Sequence, residues 1–190
     1  VGQLVAAYDC VYHDDFHAAK DMMGILLESG CSRPGCLYVT DKDRAVGAER
    51  IRGVEEALKE RGMNPASVPA LEGGFTIESG FEKMRELIIK KPDIDGVFCA
   101  TASLAVGAVM YLKEAGRKIP EDIKVCSVGS NQMTEIVDPK LTTARFYYRT
   151  SGLEAAQMLL SMVDGKRQHL RHMMLGYEIV QRGTTSEEFA

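Results

Sequence analysis

Residues 116–131 read G-R-K-I-P-E-D-I-K-V-C-S-V-G-S-N, a helix stop followed by a short apolar strand that ends on a glycine and two polar residues. Gly116 suits the left-handed position that closes a helix, and Pro120 prevents the helix from restarting. The run from Val125 to Val128 has the continuous apolar character of a strand covered on both faces, the habit of parallel sheets flanked by helices. In such sheets ligands sit beyond the carboxyl ends of the strands, so Ser130 and Asn131 are expected to touch one.

Working outward from this stretch, strand-like runs alternate with helical ones. Strands are expected at 4–10, 35–40, 66–71, 95–100, 124–128, 141–146 and 173–180, with an irregular segment around Pro139. Asp14 or Asp15 caps a first helix bearing Met22, Met23, Leu26 and Leu27 and ended by Gly30. A second helix starts near Asp43, carries Ile51, Val54 and Leu58 on one stripe and stops at Gly62. Gly73-Gly74 precedes a third with Phe81, Met84, Leu87 and Ile88. A final helix bears Leu153, Ala156, Leu159, Leu160 and Val163 up to Gly165. The alternation predicts an α/β fold with a doubly wound parallel sheet. The helix expected over 103–115 is apolar almost all round and must be covered on more than one face, which predicts a partner subunit against it. The polar, acidic tail 183–190 is expected to be mobile.

Composition narrows the function. The chain has 190 residues, 45% hydrophobic and 26% charged, with a net charge of −4. That is enough for one sizeable core or two small lobes in water. No apolar run approaches the roughly 20 residues of a membrane helix, and no basic region followed by a hydrophobic one marks a signal peptide. The chain starts without methionine and enters a strand-like run almost at once, which suggests that upstream sequence has been removed. Basic residues are interspersed with acids, so the electrostatic footprint of a nucleic-acid binder is missing and any DNA contact must lie elsewhere. Five cysteines (Cys10, Cys31, Cys36, Cys99 and Cys126) are an odd number without C-x-x-C spacing. They favour a reducing, cytoplasmic location.

Enzyme readings find little support. His13-D-D-F-His17 and His169-x-x-His172 are close imidazole pairs, but neither completes the three or four ligands a metal site needs. There is no G-x-S-x-G elbow and no phosphate-cradling G-x-x-x-x-G-K. No catalytic residue, metal or cofactor is expected. The methionines at helical spacing read as core filler.

Six segments in a fixed order carry a resemblance: D-D-F-H-A-A-K (14–20), A-E-R-I-R-G-V-E-E-A-L (48–58), F-C-A-T-A-S-L-A-V-G-A (98–108), I-P-E-D-I-K-V-C-S-V-G (119–129), L-T-T-A-R (141–145) and Q-R-G-T-T (181–185). Together they resemble the regulatory core of the lac repressor family of sugar-responsive transcription regulators. The H-D-D start, the F-Y-Y-R-T-S-G run and C-A-T-A look most like trehalose or sucrose operon repressors. The resemblance implies a periplasmic-binding-protein-like parallel sheet flanked by helices, mainly the carboxyl-terminal lobe with part of the amino-terminal lobe. It further implies a sugar or sugar phosphate in an interlobe cleft, with the helix-turn-helix absent from these residues. On that reading, 1–30 is a crossing segment with part of the amino-terminal lobe, 31–143 the carboxyl-terminal lobe, 144–168 a hinge with a returning helix, and 169–190 the last strand and tail.

The same resemblance implies the ligand contacts. Arg50, in the family's R-x-x-G helix, would offer fixed donors to sugar hydroxyls or a phosphate; alternatively it forms a surface salt bridge with Glu49 or Glu56. Phe75 would face a sugar ring or else pack in the core. Thr101 and Ala102 replace an asparagine and an aspartate, and Asn131 stands where an aspartate is common. Loss of a carboxylate favours an anionic effector such as a sugar phosphate. Asp15 is a cleft-facing polar residue or a helix cap. One of Phe146, Tyr147 and Tyr148 is expected to line the cleft, Tyr148 being the candidate, and Arg145 or Arg149 could meet a phosphate. Val106, Met110 and Ile136 are expected to bury a homodimer interface. The function implied is effector-controlled repression of a carbohydrate operon, operator DNA being reached only through the missing domain. The alternative is a transport-type periplasmic sugar-binding protein.

Overall fold

The computed structural model describes residues 4–165 and 169–186. In chain order its strands are β1 (Cys10–His13), β2 (Pro34–Tyr38), β3 (Ala70–Glu72), β4 (Gly96–Cys99), β5 (Lys124–Val128), β6 (Thr142–Phe146), β7 (His172–Leu175) and β8 (Tyr177–Val180). The helices are α1 (Asp15–Glu28), α2 (Arg50–Glu60), α3 (Ile77–Lys90), α4 (Ala102–Glu114), α5 (Gln132–Ile136) and α6 (Tyr148–Val163). One sheet has the order β3-β2-β4-β5-β6-β8, and β1 with β7 forms a second. The pairs β2–β3, β2–β4, β4–β5, β5–β6 and β1–β7 are parallel, as strand–helix–strand alternation requires.

The chain divides into two compact units, Val1–Asp14 with Phe146–Glu178, and Asp15–Arg145 with Ile179–Ala190. The boundary expected after residue 30 moves to Asp14 because α1 packs on α2, β4 and β5 of the larger unit. The first strand also shifts, from 4–10 to Cys10–His13, where β7 supplies its partner. The single strand expected over 173–180 is two, β7 and β8, which join different sheets on either side of Gly176.

In the larger unit the strand alternation sorts side chains to two faces. Leu37, Val39, Val97, Cys99 and Val125 form a core with Leu104 and Leu112 of α4. On the face that carries α1, the Cys126 thiol donates to the Met22 carbonyl at 3.4 Å. All five cysteines are buried and free of disulfides.

The second cover for apolar α4 comes from α3 within the chain, so its apolar character does not by itself require a partner subunit. A Cβ at Gly107 would fall on the Ile77 carbonyl oxygen, and one at Gly80 on that of Leu104, so the two helices meet backbone to backbone. Val106, expected at a dimer interface, instead lies inside this core at 1% exposure. Met110 and Ile136 remain 50% and 71% exposed.

The expected mobile tail is also corrected as far as it is described. Thr184 and Thr185 are buried. The Val125 N–H donates to the Thr184 carbonyl at 2.9 Å, the Thr142 N–H donates to Thr184 Oγ1 at 2.9 Å, and Thr142 and Thr185 share a hydroxyl bond of 2.7 Å. Residues 187–190 lie outside the described residues.

At the amino-terminal edge of the sheet, Asp95 gathers donors from the loop before β2. Its carboxylate accepts from the Cys31 thiol (3.0 Å), the Ser32 hydroxyl (2.7 Å) and the Arg33 N–H (2.8 Å). Burial alone would raise its pKa, but the Cys31, Arg33 and Ser32 hydrogen bonds outweigh it and bring the value down to about 2. A depressed carboxyl contributes stability that is present above its unfolded pKa of about 4 and lost as pH falls through about 2. Asp95→Ala is expected to lose about 1.5–3 kcal/mol at pH 7. Urea titrations should also show a shallower decline between about pH 4 and 2 than in the parent; an identical acid limb would refute this role.

Candidate functional site

The strand order β3-β2-β4 sets the location of the site. The connection leaving β2 runs through α2 to β3 on one side, and the one leaving β4 runs through α4 to β5 on the other. The carboxyl ends of β2 and β4 therefore lie at a topological switch point, where open α/β sheets leave a crevice.

At the adjoining ends of β4 and β5 lies a buried ion pair between Asp15, the first residue of α1, and Arg50, the first of α2. Arg50 and Asp15 are each 5% exposed. The Arg50 Nε donates to Asp15 Oδ1 at 2.7 Å, and Nη2 reaches the same oxygen at 2.7 Å. Nη1 donates to the Ala100 carbonyl just past β4 and lies 3.5 Å from that of Val128 at the end of β5. One guanidinium thus ties α1 and α2 to two adjacent strand ends, a use of its planar set of donors that lysine could not match. Glu49, a surface partner expected for Arg50, instead pairs with Arg52 at 2.6 Å.

Gly53 explains how the pair can form. A Cβ there would fall on the Phe16 carbonyl oxygen, so glycine lets α2 approach the α1 backbone one turn from Asp15 and Arg50. The glycine of R-x-x-G is a packing residue that brings the arginine to its partner.

Thr101 and Asn131 occupy the strand ends and both cap helices. Thr101 Oγ1 accepts from the Leu104 N–H at 3.2 Å, and Asn131 Oδ1 accepts from the N–H groups of Met133 (2.9 Å) and Thr134 (3.3 Å). Ser130 shares a hydroxyl bond of 3.0 Å with Thr134. α5, which Asn131 caps, replaces the irregular segment expected before Pro139; the run N-Q-M-T-E-I carried a capping signal for it. Phe75 stands in the loop between β3 and α3 at 51% exposure, so it is not a core side chain. That loop is held by the Gly73 N–H on the Tyr38 carbonyl (2.8 Å) and the Gly74 N–H on Ser79 Oγ (2.7 Å).

The smaller unit has its own aromatic cluster at the end of β1. The His13 ring stacks on Phe146 with centroids 4.6 Å apart and meets Tyr148 edge-on at 5.4 Å. Phe146 is buried, whereas Tyr148 is 54% exposed, so of these two rings Tyr148 presents the accessible surface. The Tyr147 hydroxyl, also exposed, donates to Glu178 at 3.4 Å. His13 therefore belongs to an aromatic cluster. Among the described residues no group of three or more His, Cys, Asp or Glu could hold a metal ion, and no helix is long and apolar enough to cross a membrane.

Residues 24–185 match the family described as periplasmic binding protein-like domain, and the chain belongs to that family. Its relatives are regulators of the lac repressor family. It is 30% identical over 153 residues to the HTH-type transcriptional regulator CelR of Thermobifida fusca, covering 80% of this chain and 45% of the relative. It is 29% identical over 175 residues to the HTH-type transcriptional repressor CytR of Escherichia coli K12, covering 92% and 51%. The chain thus spans about half the length of these curated relatives. Among solved structures, a CelR–cellobiose complex aligns with a TM-score of 0.86 at 28% identity, covering 93% of this chain and 54% of that one. A lac repressor family regulator from Enterococcus faecium with bound ribose aligns at 0.89 and 26% identity, covering 97% and 68%.

Proposed function

We propose that these residues are the effector-binding part of a cytoplasmic carbohydrate-operon repressor, taking a sugar or sugar phosphate at the carboxyl ends of β4 and β5. The observation that carries this reading is the alignment with two regulator–sugar complexes at TM-scores of 0.86 and 0.89. Thr101 and Asn131 supply polar contacts, exposed Phe75 an apolar face for a sugar ring, and the Asp15–Arg50 pair a rigid floor. In the smaller unit, Tyr148 is the ring suited to the same kind of contact. The effector acts by favouring one arrangement of the regulator, and it shifts DNA binding by a helix-turn-helix outside these residues only as far as its affinities for the two arrangements differ.

A thermal-shift series against cellobiose, ribose, trehalose and sucrose tests the reading. A ligand at a hundredfold excess over Kd stabilises by about 2.7 kcal/mol, or roughly 5–10 °C in a chain of this size. Phe75→Ala should weaken that shift while leaving the unliganded melting temperature nearly unchanged. No shift with any of these sugars or their phosphates would sink the proposal.

Homodimerisation belongs to the same reading. Met110 on α4 and Met133 and Ile136 on α5 are exposed on helices that pack against each other. A dimer through this patch would bury them. Light scattering at micromolar concentration should report twice the chain mass, falling toward one chain mass in Met110→Glu/Ile136→Glu. A monomeric parent would remove this part.

A further inference from the structure

We infer that the larger unit binds one buried water between β5 and β6, held by the hydroxyls of Ser127 and Thr143. Both residues are 0% exposed. They are register partners in adjacent parallel strands, and alternation along β5 puts Ser127 on the same face as Val125, which belongs to the core shared with α4. Neither hydroxyl has a hydrogen-bond partner among the described residues. The fold satisfies its other buried hydroxyls. Thr142, immediately before Thr143 but on the opposite face, shares a hydroxyl bond of 2.7 Å with Thr185 and donates to the Arg182 carbonyl at 2.9 Å. Thr134 Oγ1 donates to the Asn131 carbonyl at 2.7 Å, Ser151 Oγ donates to that of Tyr148 at 2.9 Å, and Thr184 Oγ1 accepts from the Thr142 N–H at 2.9 Å. Every other buried serine and threonine among the described residues therefore has a protein partner, and the two exceptions stand opposite each other. A buried hydroxyl without a partner is costly, so adjacency of the only two points to one group that serves both.

The chemistry of the two groups selects the ligand. Each hydroxyl donates one proton and accepts others, which suits a small neutral molecule that does both. Two O–H···O bonds of about 2.8 Å that meet at one oxygen span roughly 4.5 Å, close to the ~4.8 Å between neighbouring strands. Water has that size and that bonding capacity. Cys99, opposite Ser127 on β4 and also 0% exposed, offers its sulfur on the same face as a third, weaker partner. Burial pushes the Cys99 thiol up from its ordinary pKa, so it stays neutral and gives an ion no charge to pair with.

A high-resolution crystal structure of the chain, with oxygen-17 relaxation dispersion of its water in solution, tests the inference. The crystal should show an ordered water within hydrogen-bond distance of both Ser127 Oγ and Thr143 Oγ1. The dispersion should fall by one long-lived water per chain in Ser127→Ala/Thr143→Val, which removes both oxygens and keeps the threonine's branched shape. Circular dichroism confirms that the variant is folded before the two signals are compared. A direct bond between the two hydroxyls with no water between them, or an unchanged dispersion in the folded variant, would overturn the inference. Should the variant fail to fold, the crystal structure of the parent decides alone.

Discussion

Arg50→Ala is expected to destabilise the larger unit by about 3–5 kcal/mol, because it leaves the Asp15 carboxylate buried without its counter-charge. The two side chains are 6% and 5% exposed and meet at 2.7 Å. In a chain of this length the loss corresponds to a fall in melting temperature of roughly 6–20 °C. Replacing both partners with apolar residues of similar volume, Asp15→Leu with Arg50→Met, should cost far less than the sum of the single changes, since no unpaired charge remains. Urea denaturation of the two singles and the double measures this coupling. A single-mutant cost below about 1 kcal/mol would mean that the pair behaves as an exposed salt bridge. A weakened ligand response in Arg50→Ala would not identify Arg50 as a ligand contact, because the Ala100 and Val128 carbonyls would lose their shared donor in the same step.

Gly53→Ala should have the next largest effect, about 3 kcal/mol at the upper end of the range for overpacking. The added methyl has no space to enter, because the obstacle is the Phe16 carbonyl with the Lys20 N–H beside it, both part of the α1 backbone. The helices must separate, and Asp15 and Arg50 separate with them. An exposed helical glycine would instead gain up to about 1 kcal/mol from the same substitution, so the sign of the change decides between the two environments. Chemical denaturation gives that sign directly, and a stabilised Gly53→Ala would contradict the close α1–α2 approach.

The alternation of strands and helices, the parallel sheet and the Lys124–Val128 strand follow from local patterning alone. Continuous apolar runs and glycine or proline stops are properties of neighbouring residues and can be read without knowing the fold. The polar residues beyond the strand ends, Thr101 and Asn131, were legible for the same reason: each lies within three residues of its strand and directly precedes its helix. Side-chain roles set by distant neighbours were not. Arg50 finds its partner 35 residues away in Asp15, Val106 is enclosed in the core of the larger unit, and the R-G-T-T segment is held by β5 and β6. Nor does periodicity distinguish one strand over 173–180 from two short strands that pair in different sheets. Each of these outcomes depends on which backbone comes close enough to supply a partner or exclude water, and the tertiary structure alone decides that.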